Sequence, residues 1–320
     1  MGGRATPERP LIRGSEPAED LVGLYGPRSE AWRLNREAAL LLGAGPFAVL
    51  LQISHPLVAE GVSAHSTFRD DPWARLEGTL RSYLRIVYGS GRVARAEIRR
   101  LNGLHRSVAG PVVDPGAASR FGGSYTARDA ELSLWVHATL VWATLVTLER
   151  WAGGVSRERR ARFYAETLVV GRAFGIPEAR LPADLDAFEA YIAAMLGPGG
   201  SVHPSGLSRE LADAILHPPL APVAERGSVA RALGPLAGPL ASALRSAPRS
   251  TLTPLLVPAV GLLPTSLRAE LGLSWGLRER ALDAWLTAMW AAWRPVFPTS
   301  VRWFPQVLAA YERVGERPAS

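Results

Sequence analysis

A chain of 320 residues with 48% hydrophobic content can bury a sizeable core, as one large domain or two modest ones. It contains no cysteine, and all 36 of its basic residues are arginine. That composition excludes disulfides, thiolate nucleophiles, iron–sulfur clusters, cysteine-ligated haem, Schiff bases and P-loop chemistry. The formal charge of +7 admits a polyanionic partner, but the arginines are dispersed and rarely alternate with aromatics, which argues against nucleic acid.

Residues 1–28 read as an N-terminal extension without the apolar core of a secretory signal, which implies a cytoplasmic location. Residues 29–43 follow a helical pattern, Gly45-Pro46 separates them from a second apolar helix at 47–54, and His55-Pro56 breaks that one. The pattern resumes at 57–66. A loop then runs to Asp71, which caps a helix beginning at Pro72. In that helix Leu76, Leu80, Tyr83, Leu84 and Val87 recur at helical spacing as the core face, and Arg75, Thr79 and Ser82 share another face.

A turn at Gly89-Ser90-Gly91 leads to a helix at 93–108, where Ile98, Leu101, Leu104, His105 and Val108 fall on one stripe and point His105 inward. Gly110-Pro111 and the loop through Gly122-Gly123 close that unit, and 127–151 is the longest and most apolar helix, carrying His137. Further helices are predicted at 157–171, 184–196, 208–215, 229–246 and 278–293. The arginine run at 157–162 reads as a solvated helix start.

Pro and Gly accumulate over 218–264, read as a loosely tethered insertion within a single domain of 29–311, with a tail at 312–320. The last helices are too rich in Trp to stand unpacked. Three apolar stretches, 38–53, 132–148 and 252–267, are each shorter than the span of about 20 residues a bilayer requires and are expected as buried helices. No strand signal and no internal repeat accompany them, so the predicted fold class is all-α, a globin-like or irregular helical bundle.

The six histidines are the soft metal ligands available, and none stands in an arrangement that would put two on one helix face, which disfavours a zinc hydrolase. A haem needs only an axial ligand from the protein, and one inward histidine on an apolar helix can supply it. The same pattern also describes a satisfied core histidine, so both readings stand at this point.

A set of short motifs runs in order along the chain: Leu51-Gln52-Ile53-Ser54-His55-Pro56, Ala64-His65-Ser66-x-Phe68, Asp71-Pro72-x-x-Arg75-Leu76-x-x-Thr79, Leu104-His105-x-x-Val108-x-Gly110, Tyr125-x-Ala127 and Trp135-Val136-His137-Ala138-Thr139. It continues through Leu263-Pro264-x-x-Leu267-Arg268 to Pro298-x-x-x-Arg302-Trp303-Phe304-Pro305. In these motifs the chain resembles the haem-dependent rubber oxygenase (latex-clearing) and MpaB-type oxygenase family.

The resemblance implies a helical core enclosing haem b, with His105 as the proximal ligand to its iron and Arg75 and Thr79 on the distal helix. Where rubber-cleaving members carry a lysine before that Thr, this chain has Gly78, which departs from rubber cleavage and from any lysine-gated iron. Glu60 stands near the place of the family's catalytic carboxylate, His65 is a further pocket group, and His137 either meets the haem edge or hydrogen-bonds a neighbouring helix. His55 is expected as a helix-end or packing residue.

The implied activity is an oxygenase that uses dioxygen on a small or medium apolar substrate, with the electron donor and oligomeric state open. Three alternatives stand beside it: a haem peroxidase-like or desaturating enzyme, a haem sensor or carrier without turnover, and a cofactor-free helical protein that binds a membrane or a partner.

Overall fold

The structure, a computed structural model, describes residues 18–66, 72–217 and 253–317. It is helical nearly throughout. The predicted cap at Asp71, the helix at 229–246 and most of the 218–264 insertion lie outside the described residues. In chain order the helices are α1 (Ala18–Val22), α2 (Glu30–Asn35), α3 (Ala38–Ile53), α4 (Pro56–His65), α5 (Pro72–Tyr88) and α6 (Gly91–His105). Next come β1 (Ala109–Pro111), α7 (Pro115–Phe121), β2 (Ser124–Thr126), α8 (Ala130–Trp151), α9 (Arg157–Ala173), α10 (Leu185–Leu196) and α11 (Gly206–Leu216). The last are α12 (Thr253–Leu262), α13 (Thr265–Glu270), α14 (Leu277–Trp293), α15 (Thr299–Arg302) and α16 (Pro305–Val314).

The centre is the pair α3 and α8, the most extensively packed among the described elements. Neither helix carries a continuous polar stripe, so each is stable only when surrounded. Phe47, Leu50 and Leu51 of α3 and Trp135, Ala138 and Val141 of α8 are buried together. Gly43 makes the close approach possible, because a Cβ there would lie 2.1 Å from the Trp151 ring. Among the described residues α8 alone is a single helix long and apolar enough to cross a membrane, yet 67% of that apolar window is buried inside the protein. Residues of all three apolar stretches, α12 among them, belong to this core.

Several sequence expectations change here. Gly45-Pro46 does not divide α3, which runs through Pro46 without interruption. Packing on both sides of that proline outweighs the roughly 3 kcal/mol that an interior proline costs a helix. His55-Pro56 does break the chain, and α4 leaves at 107° to α3. A short antiparallel pair, with Gly110 opposite Tyr125, was not expected. Three-residue strands containing Gly and Pro show no alternation to read.

The arginine run at 157–162 is solvated at Arg157 and Arg162, as expected, and also pairs across the fold. Arg159 reaches the buried Glu30 at 2.8 Å and Arg162 reaches it at 3.5 Å, while Arg160 pairs with Glu189 at 2.7 Å. Glu166 of the same helix caps α2, accepting from the amides of Glu30 at 3.1 Å and Ala31 at 2.8 Å. Burial raises the Glu30 pKa, and the Arg159 and Arg162 guanidiniums more than offset it, so its carboxyl sits below the usual range. The C-terminal helices close onto the start of α3 through Glu37, which pairs with Arg294 at 2.9 Å and with Arg302. Of the Trp-rich end, Trp303 is buried beside Trp32, Tyr88 and Tyr311, whereas Trp285 remains 59% exposed.

Candidate functional site

His105 is the last residue of α6, whose first turn is capped by Ser90 accepting from the Val93 amide at 3.4 Å. The end of α6 is pinned to the end of α9: Asn102 Nδ2 donates to the Ala173 carbonyl at 2.9 Å, and the His105 ring lies 6.0 Å from that of Phe174. The inward stripe is narrower than its spacing implies. Leu104 is 51% exposed and His105 is half-buried. Burial, and then the nearby positive charge of Arg75, push the His105 pKa below its ordinary value, so the imidazole is held neutral.

Arg75 and Thr79 stand one turn apart on α5, with Arg75 Nη1 donating to Thr79 Oγ1 at 3.3 Å and Thr79 Oγ1 donating to the Arg75 carbonyl at 2.9 Å. Solvent reaches Arg75, yet enough protein surrounds the guanidinium for burial to lower its pKa. Gly78 faces open space, with nothing within 4 Å of where a Cβ would stand. Ser82, expected to share the face of Arg75 and Thr79, is instead buried. Its hydroxyl donates to Glu97 Oε1 at 2.7 Å, Arg100 donates to the same oxygen, and Arg85 pairs with the other one at 3.1 Å. An acid on α6 therefore draws Ser82 into the α5–α6 interface.

His137 meets the same end of α9 from α8. A Cβ at Gly171 would lie 3.5 Å from its Nε2, and Gly171 and Phe174 are neighbours on one turn. Burial pushes the His137 pKa down to about 4, and Nε2 is closed off without a hydrogen-bond partner among the described residues. The predicted hydrogen bond to a neighbouring helix is thus not made by that nitrogen. The structure gathers His105 and His137 around the C-terminal turn of α9, and places Arg75 and Thr79 in electrostatic reach of His105.

Glu60 and His65 belong to a second neighbourhood, where α4 lies against the two-stranded hairpin. Glu60 is buried, and its Oε1 accepts from the amides of Val113 at 3.0 Å and Asp114 at 2.8 Å. His65 is exposed at the end of α4 with its ring edge-on to Tyr125 at 6.3 Å. Burial first, and the Glu60 charge second, raise the Tyr125 pKa. At the other end of α4 the His55 ring packs on Phe121 at 5.1 Å, as the packing residue expected, and burial pushes its pKa to about 4. An open groove of about 540 Å³ runs past this hairpin, lined by Leu57, Gly110, Phe121, Tyr125, Asp129 and Leu132.

No hydrogen bond or ring contact between described residues joins the two neighbourhoods. Sequence reasoning missed Phe174 and Gly171, for which no local pattern exists, and took Tyr125 only as part of a motif. Among the described residues no three His, Asp or Glu side chains converge on a common metal position. The arrangement around His105 offers a neutral imidazole, a guanidinium, a hydroxyl and an aromatic wall.

Residues 32–294 match the family described as ER-bound oxygenase mpaB/B'/Rubber oxygenase, catalytic domain. Neither a comparison with curated proteins nor one with solved structures returned a match.

Proposed function

The chain belongs to the mpaB/rubber oxygenase catalytic-domain family, and from that premise we propose a haem b-dependent oxygenase that acts with dioxygen on a small or medium apolar organic substrate. The observation that carries the cofactor is the contrast among buried histidines. His55 Nδ1 and His137 Nε2 are sealed in the interior without partners. His105 is half-buried, as His137 is, but neither of its ring nitrogens is closed off in that way, its ring makes no hydrogen bond to any described residue and burial favours its neutral form, so its lone pair is available to an axial position. The residues present therefore fit the group. His105 would hold the iron, with Arg75 as the cation available to a propionate or a polar substrate atom, and His137 lying beside the same turn of α9.

When bound, the haem supplies the redox chemistry with dioxygen. The chain's own groups supply position and polarity. Phe174 packs against the His105 ring and fixes one side of it. Thr79 both accepts from Arg75 and donates to the Arg75 carbonyl, so its hydroxyl is oriented before substrate arrives. The guanidinium spends one donor on Thr79 and keeps the others for an oxygen atom on the open side. Glu60, with one oxygen engaged by two backbone amides, anchors the loop before α7, and this engaged state supports a structural role over that of a base.

The absorption spectrum of the purified protein tests the reading. A Soret band that is lost in His105→Ala and retained in His203→Ala and His217→Ala is expected. Colourless protein that takes up no haem on reconstitution refutes the cofactor, and loss of the band in His137→Ala alone refutes the ligand assignment.

A further inference from the structure

Beyond its first turn the outer face of α14 is apolar, and it is exposed among the described residues. Between Arg280 and Arg294 the helix carries one charged residue, Asp283, which is 3% exposed and turned inward to pair with Arg150 of α8. On the opposite side Leu277 is 83% exposed, Trp285 59% and Met289 38%, and the alanines at 281, 284, 288, 291 and 292 that fill the spaces are exposed as well. The stripe continues past the helix end into Val296, 68% exposed, and Phe297, 39% exposed. At about 1.5 Å per residue the helix makes this a ridge roughly 25 Å long. A solvent-facing helix normally carries its polar residues on that side, and a continuous apolar patch of this kind marks an interaction surface.

The charge around the ridge selects its occupant. Among the described residues, the exposed ionic side chains of the helix start are Arg278 and Arg280, the latter also donating to the Trp275 carbonyl at 3.3 Å, and Glu279 between them is turned back to the Gly276 amide at 2.6 Å. The whole chain is formally +7, so two copies brought together repel, while an anionic surface attracts. Exposed Trp, Leu and Phe beside arginines, on a helix too short to span a bilayer, have the make-up of a helix that lies in the lipid interface. We propose that α14 and the Val296–Phe297 turn dock the protein on the surface of an anionic lipid bilayer, with Trp285 inserted at headgroup depth and Arg278 and Arg280 facing the lipid charge. The inference is independent of the haem reading, since none of its residues belongs to the His105 neighbourhood.

Flotation of the full-length protein with vesicles tests it, comparing phosphatidylcholine alone with phosphatidylcholine containing phosphatidylserine. Wild-type protein should float with the anionic vesicles, about tenfold or more in excess of the neutral ones at low salt, and lose that excess as salt rises. Trp285→Glu and Met289→Glu each place a charge on the apolar ridge and should reduce partitioning by about tenfold or more. Both positions are solvent-exposed, so unchanged far-UV circular dichroism is expected of the variants. Arg278→Glu should diminish the anionic preference and leave the apolar contribution. Wild-type protein that stays in the dense fraction, or Trp285→Glu that floats as well as wild type, overturns the proposal. So does a concentration-dependent dimer in sedimentation velocity that Trp285→Glu abolishes, because the ridge would then be covered by a second copy.

Discussion

His55 gives the fold a pH dependence whose sign follows from its burial. The residue is 4% exposed at the break between α3 and α4, and burial, then the charges of Arg120 and His203, push its pKa from 6.5 to about 4 against the opposing pull of Asp129. Above about pH 6.5 neither the folded nor the unfolded chain protonates it. Between about 6.5 and 4 the unfolded chain takes up a proton that the folded chain refuses, so stability falls as pH falls through this window. The slope for one such group is about 1.4 kcal/mol per pH unit, which amounts to about 2 kcal/mol between pH 6.5 and 5. His55→Gln removes the titrating group. Urea unfolding of both proteins at about pH 7, 6 and 5 should show a stability gap that is constant near neutrality and then moves by about 2 kcal/mol against wild type. A gap that stays fixed across the series would mean that His55 is protonated in place, through water or a rearranged Asp129, and would refute the sealed, neutral state.

Substitutions at Glu60 and Gly78 test two further positions. Glu60→Ala strands the amides of Val113 and Asp114 and should cost about 2 kcal/mol, whereas Glu60→Gln keeps an acceptor in place and should retain most stability and turnover; an inactive, fully stable Glu60→Gln would make the carboxylate a base after all. Gly78→Ala fills open space on a helix and should stabilise by about 0.5–1 kcal/mol, read as a thermal midpoint higher by about 1–3 °C. Gly78→Lys should convert a high-spin ferric spectrum to low-spin, and a spectrum unchanged by the lysine would place the α5 face away from the iron.

Much of the architecture was legible because it rests on periodicity. The helices at 72–88, 157–173 and 277–293 begin within one or two residues of where spacing and flanking Gly, Ser or Pro put them. What failed were local rules overridden by tertiary packing. Pro46 reads as a break, yet the helix runs on with Leu50 and Leu51 buried against α8. Arg159 and Arg162 look like a solvated patch until Glu30, far away in sequence, arrives to accept them. The last helices, read as too Trp-rich to stand unpacked, do pack at Trp303 but leave Trp285 on an exposed ridge of α14, because hydrophobic spacing announces a face but not what will cover it.

The site was less legible, for a reason specific to its chemistry. A zinc or iron–sulfur centre writes several ligands into the sequence, whereas a porphyrin brings four of its own and leaves one residue to find among six histidines. Spacing alone made His105 and His137 equivalent, both inward on apolar helices. The distinction is between being buried and being usable: an axial ligand must be neutral and still present an open lone pair. His137 is neutral because it is sealed, with Nε2 closed off beside Gly171. His105 keeps its ring nitrogens outside that closed-off set, at the end of its helix, and burial and the charge of Arg75 favour its neutral form. That combination depends on α5, α6 and α9 meeting at one place, and no stretch of the chain contains it. The same reasoning separates Arg75 from the rest of the arginines. Most of those in α9 are consumed by carboxylates, whereas Arg75 is exposed, bonded to Thr79 and without an acidic partner among the described residues, so its remaining donors are available to an anionic group brought in from outside.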